Sequence, residues 1–317
     1  MPYIIAVDLG GTNCRFAGFT LENGVLALHR TERRATATLP DTDALLAACE
    51  TLLERRPATA DAFVLGMAGP VSGGLKARLT NAPLEVNLSR ARERYGLRAC
   101  RLVNDFMAEA CACLTRVGEE APCVLPSSEA SPTGPIGIIG AGTGLGTASL
   151  IRDSRNVWMP LPAEGGHVAF PFAGREEAAF EAFAAGSLGL TYLRGDDVLT
   201  GRGLCLLHRF LTGERREAHE IAAEALVSET ETLRWYARFY GRACRNWALS
   251  TLCTGGLFVT GGIAMRNPLV VGCDAFRESF YDSPHSALLR RIPVRRYADL
   301  ASGLWGSAWI GARMLEE

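Results

Sequence analysis

With 317 residues, 48% of them apolar and 21% charged, the chain has the balance of a globular protein and exceeds the usual size of one core, which argues for two domains. A formal net charge of -1 without any Lys/Arg block argues against a nucleic-acid partner. No uninterrupted apolar run reaches the length of a bilayer span, so no membrane partner is expected. The densest basic stretch, Arg90, Arg92, Arg94, Arg98 and Arg101, reads as the solvated face of a helix followed by a strand. The 10 cysteines are scattered; Cys111-x-Cys113 has no second pair or His at metal-ligand spacing, so buried thiols in a reducing compartment are expected. Met1 to Asp8 runs straight into a strand, with no basic segment or cleavage site of a secretory signal, and the cytoplasm is the expected location.

In chain order, Tyr3–Val7 and Cys14–Thr20 are short apolar runs on either side of a glycine turn, which predicts a hairpin opening a sheet. Leu45, Leu46, Cys49, Leu52 and Leu53 repeat at helical spacing, and Ala62–Met67 is again strand-like. Leu102–Val103 ends a further strand just before Asn104-Asp105. After a polar link at Leu125–Pro135, Ile136–Ile139 runs through a second glycine turn, Gly140 to Gly146, into Thr147–Ile151. This recurrence of strand, glycine turn and strand predicts two related halves. Leu233, Tyr236, Phe239, Tyr240, Ala243 and Trp247 form the apolar face of a long helix, followed by the strand Leu257–Thr260 and a double glycine, Gly261-Gly262. Ser302-Gly303-Leu304-Trp305-Gly306-Ser307 begins a last helix with small residues suited to a hinge.

Binding a phosphate without a Walker loop needs exposed backbone N–H groups, and glycine lets the chain turn and approach the ligand closely. Asp8-Leu9-Gly10-Gly11-Thr12-Asn13 sets an acid at a strand end, then two glycines, then a hydroxyl. In that order Asp8 suits Mg²⁺ held through water, while Thr12 and the glycine amides suit phosphate oxygens. Tight hairpins use the same residues, so one such turn is weak on its own; the second turn, with Gly142, Thr143 and Gly144, makes a pair fit to hold a nucleotide. A Rossmann site is disfavoured because Gly142-x-Gly144-x-Gly146 leads into a strand rather than a helix. Gly261-Gly262 ends an apolar strand where a backbone passes close to adenine or ribose. Asn104-Asp105 taken alone reads as a helix N-cap after a strand rather than as a catalytic pair.

Taken together, Asp8–Asn13, Gly66–Val71, Thr80-Asn81, Asn104-Asp105-Phe106, Gly140–Gly146, Glu164-Gly165-Gly166-His167, Val198–Leu204, Gly261-Gly262-Ile263 and Gly303–Gly306 resemble the bacterial glucokinase family of the actin-like ATPase superfamily. The resemblance implies an α/β fold of two ribonuclease-H-like domains around an active-site cleft, a small one from 1–109 plus 301–317 and a large one from 110–300. It implies an ATP-dependent kinase acting at O6 of glucose, with Asp105 as general base and Asn104, Thr80, Asn81, Glu164 and His167 on sugar hydroxyls. ATP would lie on Asp8, Gly10, Gly11, Thr12, Asn13, Gly142, Thr143, Gly144, Gly261 and Gly262, with Mg²⁺ at Asp8. A homodimer rests on the resemblance alone. One departure stands out: where the family carries a glutamate that reaches the sugar, this chain has Asp196, which is one methylene shorter and as a sugar ligand has to move inward or reach through water. That keeps open a kinase for mannose, fructose or an amino sugar. A sugar-binding regulator without catalysis is the alternative of another class, opposed by Asp105.

Overall fold

The structure is a computed structural model and describes residues 1–80 and 83–316. The chain divides into two compact units, 1–120 with 301–317, and 121–300. The boundary expected at 109/110 falls inside the helix Asp105–Ala112, whose buried Ala108, Ala110, Cys111 and Ala112 belong to the core of the first unit.

In the first unit, β1 (Tyr3–Leu9) and β2 (Asn13–Glu22) form the expected hairpin, and β3 (Val25–Ala35) extends it antiparallel. On the other side of β1 lie β4 (Ala62–Met67), then, past the small antiparallel sheet β5 (Val71–Ser72), β6 (Lys76–Arg78) and β7 (Glu85–Asn87), the strand β8 (Ala99–Asn104). The order is β3-β2-β1-β4-β8, with β1, β4 and β8 parallel. Strands covered on both faces read as unbroken apolar runs, and β4 is buried at every position. Leu45, Leu46, Cys49 and Leu53 of the helix Thr42–Leu53 close one face of the core. The helix Ser302–Met314 lies against β1, β4 and the helix Asp105–Ala112. Its small residues, expected as a hinge, serve close packing here: a Cβ on Gly306 would sit 1.6 Å from the Ala108 carbonyl oxygen. The basic stretch is a helix, Leu88–Tyr95, followed by a strand, with Arg94 paired to Asp43 and Arg98 to Asp61 at 3.2 Å.

The second unit repeats the plan. β9 (Cys123–Leu125) is an added edge; β10 (Ile136–Ala141), β11 (Leu145–Arg152) and β12 (Trp158–Ala163) form an antiparallel meander; β13 (Gly256–Thr260) and β14 (Val294–Arg296) run parallel to β10. The order is β12-β11-β10-β13-β14-β9. The helix Glu231–Thr251 carries the core, with Leu233, Tyr236, Phe239 and Tyr240 fully buried, whereas Ala243 and Trp247 are only partly covered. Phe239 meets Phe170 at 5.3 Å, Phe180 at 5.7 Å and Trp235 at 5.8 Å between ring centroids. Each such buried ring contributes about 2 to 3 kcal/mol of apolar burial. Glu177 is buried against the Arg242 and Arg238 guanidinium groups and takes the Ala173 N–H at 2.7 Å, which offsets the cost of desolvating it.

Candidate active site

In the first unit, register places the residues. Leu9 pairs with Met67, and Met67 with Asn104, so the three parallel strands end on one line and turn out of the sheet together. The carboxyl edge of an open parallel sheet is where ligands bind, because the loops and helix N-termini that follow each strand converge there. Asp8, the loop after β4 and Asn104-Asp105 therefore share one edge.

The 8–13 turn is fastened from outside. Gly10 N–H donates to the Asn13 carbonyl at 3.0 Å, the Thr36 hydroxyl to the Gly10 carbonyl at 2.7 Å, and the Thr36 N–H to the Thr12 carbonyl at 2.9 Å. These bonds hold the turn while Gly11 and Thr12 stay exposed. Asp8 sits beneath, its Oδ2 at 2.9 Å from Arg15 Nη1. Burial raises the Asp8 carboxyl above its ordinary value, with the Arg15 charge pulling the other way. Across from it, Glu109 accepts the buried Ser302 hydroxyl at 2.8 Å, and the Cα hydrogen face of Gly303 lies between the two acids, an added Cβ being 3.4 Å from Glu109 Oε1 and 3.6 Å from Asp8 Cγ. Glu109 was not foreseen; its signal is helical spacing, four residues after Asp105.

Asn104 caps the helix Asp105–Ala112, its Oδ1 accepting the Phe106 N–H at 3.0 Å, and Asp105 Oδ1 shares that donor at 3.0 Å. The N-cap reading is therefore present in the structure, and it orients both side chains at the strand end. Thr80 donates its N–H to the Ala68 carbonyl at 3.2 Å and is exposed; Asn81 lies outside the described residues.

In the second unit the two glycine segments are neighbours. Gly140 pairs with Thr260, so the turn after β10 and Gly261-Gly262 after β13 leave the sheet side by side. The buried Tyr240 hydroxyl ties them, accepting the Ala141 N–H at 3.1 Å and donating to the Thr260 carbonyl at 3.3 Å. Gly261 has φ +85°, and a Cβ there would lie 2.3 Å from the Ala141 carbonyl oxygen, so only glycine suits this crossing. The turn closes with Gly142 N–H on the Gly144 carbonyl at 2.9 Å, and Thr143 lies between them, exposed. At its far end Asp196 Oδ1 accepts the Leu145 N–H at 2.7 Å.

Glu164 and His167 stand on one short turn, exposed, with Glu164 Oε2 at 3.6 Å from His167 Nε2. Gly165 N–H donates to Thr147 Oγ1 at 2.9 Å, which pins the turn to β11. Behind His167 lies a group that motif reading missed. Arg194 Nη1 is 3.3 Å from His167 Nδ1, and the buried Asp197 accepts Arg194 Nε at 2.8 Å, Arg194 Nη2 at 3.0 Å and Arg202 Nη2 at 2.6 Å. Burial by itself raises the Asp197 carboxyl, but the Arg194 hydrogen bonds and both guanidinium charges outweigh it and hold it below its ordinary value.

A meander of three antiparallel strands with two further parallel strands, repeated in two units and each time with a glycine turn after the first strand of the meander, is the actin-like ATPase fold. Solved structures share it: a glucokinase from an Antarctic psychrotroph, at TM-score 0.84, 23% identity and 99% coverage of each chain, and a ROK family glucokinase from Streptomyces griseus in complex with glucose and AMPPNP, at TM-score 0.66, 19% identity and coverage of 98% of this chain and 99% of that one. The family model described as Glucokinase matches residues 5–314, and a Mesorhizobium japonicum glucokinase is 32% identical over 303 residues, 92% of this chain and 86% of that protein. The chain belongs to the glucokinase family.

No described helix is long and apolar enough to cross a membrane, and among the described residues no three His, Cys, Asp or Glu side chains cluster as a metal site. All 10 cysteines are free thiols, and burial pushes Cys49 up to about 12 and Cys253 up to about 11.

Proposed function

We propose that this protein transfers the γ-phosphoryl group of ATP to the O6 hydroxyl of glucose. The observation that carries the reading is Asp105: a carboxylate at the end of β8, aligned by strand register with the Asp8–Asn13 turn on the carboxyl edge of the sheet. A sugar hydroxyl is too weak an acid to attack phosphorus unaided, so a carboxylate must take its proton as the new bond forms. Asp105 fills that role, and Asn104, Thr80, Asn81, Glu164 and His167 hydrogen-bond the remaining hydroxyls. The amides of Gly11 and Thr12, with Asn13, and those of Thr143 and Gly144, donate to phosphate oxygens, Gly10 and Gly142 close the two turns around them, and Gly261 and Gly262 let the backbone run flat beside the nucleoside. The hydrogen bond of Asp196 to Leu145 favours fastening of the second turn as the task of this side chain.

Mg²⁺ in such sites keeps several waters and takes few protein carboxylates, the rest of its shell coming from substrate phosphates. Asp8, partly buried and paired with Arg15, fits that demand, and Mg²⁺ bound there would neutralise phosphate charge. A homodimer and a cytoplasmic location complete the reading, supported by family membership.

Release of ADP measured with glucose, mannose, fructose and glucosamine tests the substrate. Glucose is expected to give the highest kcat/KM; a higher value for another hexose would reassign it. Asp105→Ala is expected to lower kcat by roughly two to four orders of magnitude with the fold intact. Near-normal turnover would remove Asp105 from the mechanism.

A further inference from the structure

We propose that Arg194 is a positioning residue for sugar recognition: clamped by Asp197, it fixes His167 in the neutral form that carries its proton on Nε2. The proposal rests on the assignment of Glu164 and His167 to the sugar.

The argument follows from the inventory of donors. A guanidinium has five N–H donors and no acceptor, and it does not lose its proton in proteins. With Arg194 Nη1 at 3.3 Å from His167 Nδ1, that ring nitrogen has to accept, and the single proton of the neutral imidazole then belongs to Nε2. The aim of Nη1 is itself determined. Asp197 takes Nε on Oδ2 at 2.8 Å and one Nη2 hydrogen on Oδ1 at 3.0 Å, a two-point fork that fixes the guanidinium plane and with it the direction of Nη1, which lies on the side away from Asp197. Asp197 has no freedom to follow another partner, since it is buried, receives the Arg194 N–H at 3.1 Å and is held from the other side by Arg202.

The consequence is a donor and an acceptor in fixed order. His167 Nε2–H faces outward 3.6 Å from the Glu164 carboxylate, a spacing suited to two adjacent ring hydroxyls, one accepting from His167 and its neighbour donating to Glu164. The opposite tautomer would present two acceptors to the same hydroxyls and leave one of them without a donor. His167 is half exposed, with Glu164 facing Nε2 and Arg194 facing Nδ1, and it is the Arg194 contact that assigns the acceptor role to Nδ1.

The test is Arg194→Met, a change at a partly exposed side chain that leaves Asp197 its Arg202 partner. Long-range imidazole ¹H–¹⁵N spectra, with His167 assigned by loss of its signal in His167→Gln, are expected to show protonated Nε2 and bare Nδ1 in the parent chain and a mixture of tautomers in the variant. The KM for glucose is expected to rise about tenfold while the KM for ATP stays within about twofold, the size expected for losing one charge-assisted hydrogen bond on the sugar side only. Arg194→Lys keeps the charge and loses the fork, so it should resemble Arg194→Met. An unchanged tautomer in Arg194→Met, an Arg194→Lys variant with the parental KM for glucose, or an equal rise in both KM values would overturn the proposal. If no hexose releases ADP from the parent chain, the kinase reading fails, and the spectra still decide whether Arg194 sets the His167 tautomer.

Discussion

The two glycine turns occupy the same place in the same plan, after the first strand of a meander, yet they are built differently. The turn after β1 carries its own charge: Asp8 stands at the strand end, and the hydroxyl of Thr36, brought by β3, ties the loop. The turn after β10 has no acid of its own. Its strand ends in Gly140 and Ala141, its stiffness comes from Tyr240 and the adjoining Gly261-Gly262 crossing, and its carboxylate, Asp196, arrives from a separate short helix, Gly195–Val198. The first turn thus carries its own carboxylate beside its amides, and the second borrows one from another element. Repeating a fold repeats backbone geometry, while charge has to be supplied residue by residue.

The largest effect expected from breaking this contrast is Gly261→Ala. Positive φ and a 2.3 Å clash with the Ala141 carbonyl oxygen leave the methyl no room, so a loss of about 3 kcal/mol or more is expected in urea unfolding. A loss below 1 kcal/mol, on the same order-of-magnitude scale of about 1 kcal/mol for an ordinary substitution, would mean that the crossing relaxes easily. Asp196 sharpens the comparison next. Asp196→Ala strips the Leu145 N–H of its acceptor and should cost about 1 to 3 kcal/mol, while Asp196→Asn, which keeps an oxygen there, should cost clearly less. If Asp196 fastens the second turn, the KM for ATP rises in the alanine variant; a rise confined to the KM for glucose would return Asp196 to the sugar.

The smallest effect concerns Asp8. Because its folded carboxyl is raised, the native state holds the proton more tightly than the unfolded chain, and ionisation costs stability as pH climbs from about 4 through the folded value. Asp8→Asn removes that cost, so its Tm should gain on the parental Tm as pH rises from 4 to 7. A difference in Tm that stays flat, or moves the other way, would show that the Arg15 pair outweighs burial.

Much of this was legible before any coordinates. Apolar runs marked β1, β4, β10 and β13, because strands covered on both faces admit almost nothing else, and the two glycine turns announced the repeated plan. β3 and β12 escaped notice for the complementary reason. The first is a mostly exposed edge with His29, Arg30, Glu32, Arg33 and Arg34, and the second carries Pro160 and Pro162 on a free edge, so neither shows an apolar period.

The sequence by itself determined the strand runs, the glycine turns and the short motifs at Asn104-Asp105 and Glu164 to His167, since each depends on neighbours within a few residues. Only the tertiary structure decided that Asp196 meets Leu145, that Ser302 reaches Glu109, and that Asp197 aims Arg194 at His167. The first two join residues far apart along the chain. In the third, Arg194 and Asp197 are close neighbours, but it is the folded turn at His167 that gives their hydrogen bonds a direction.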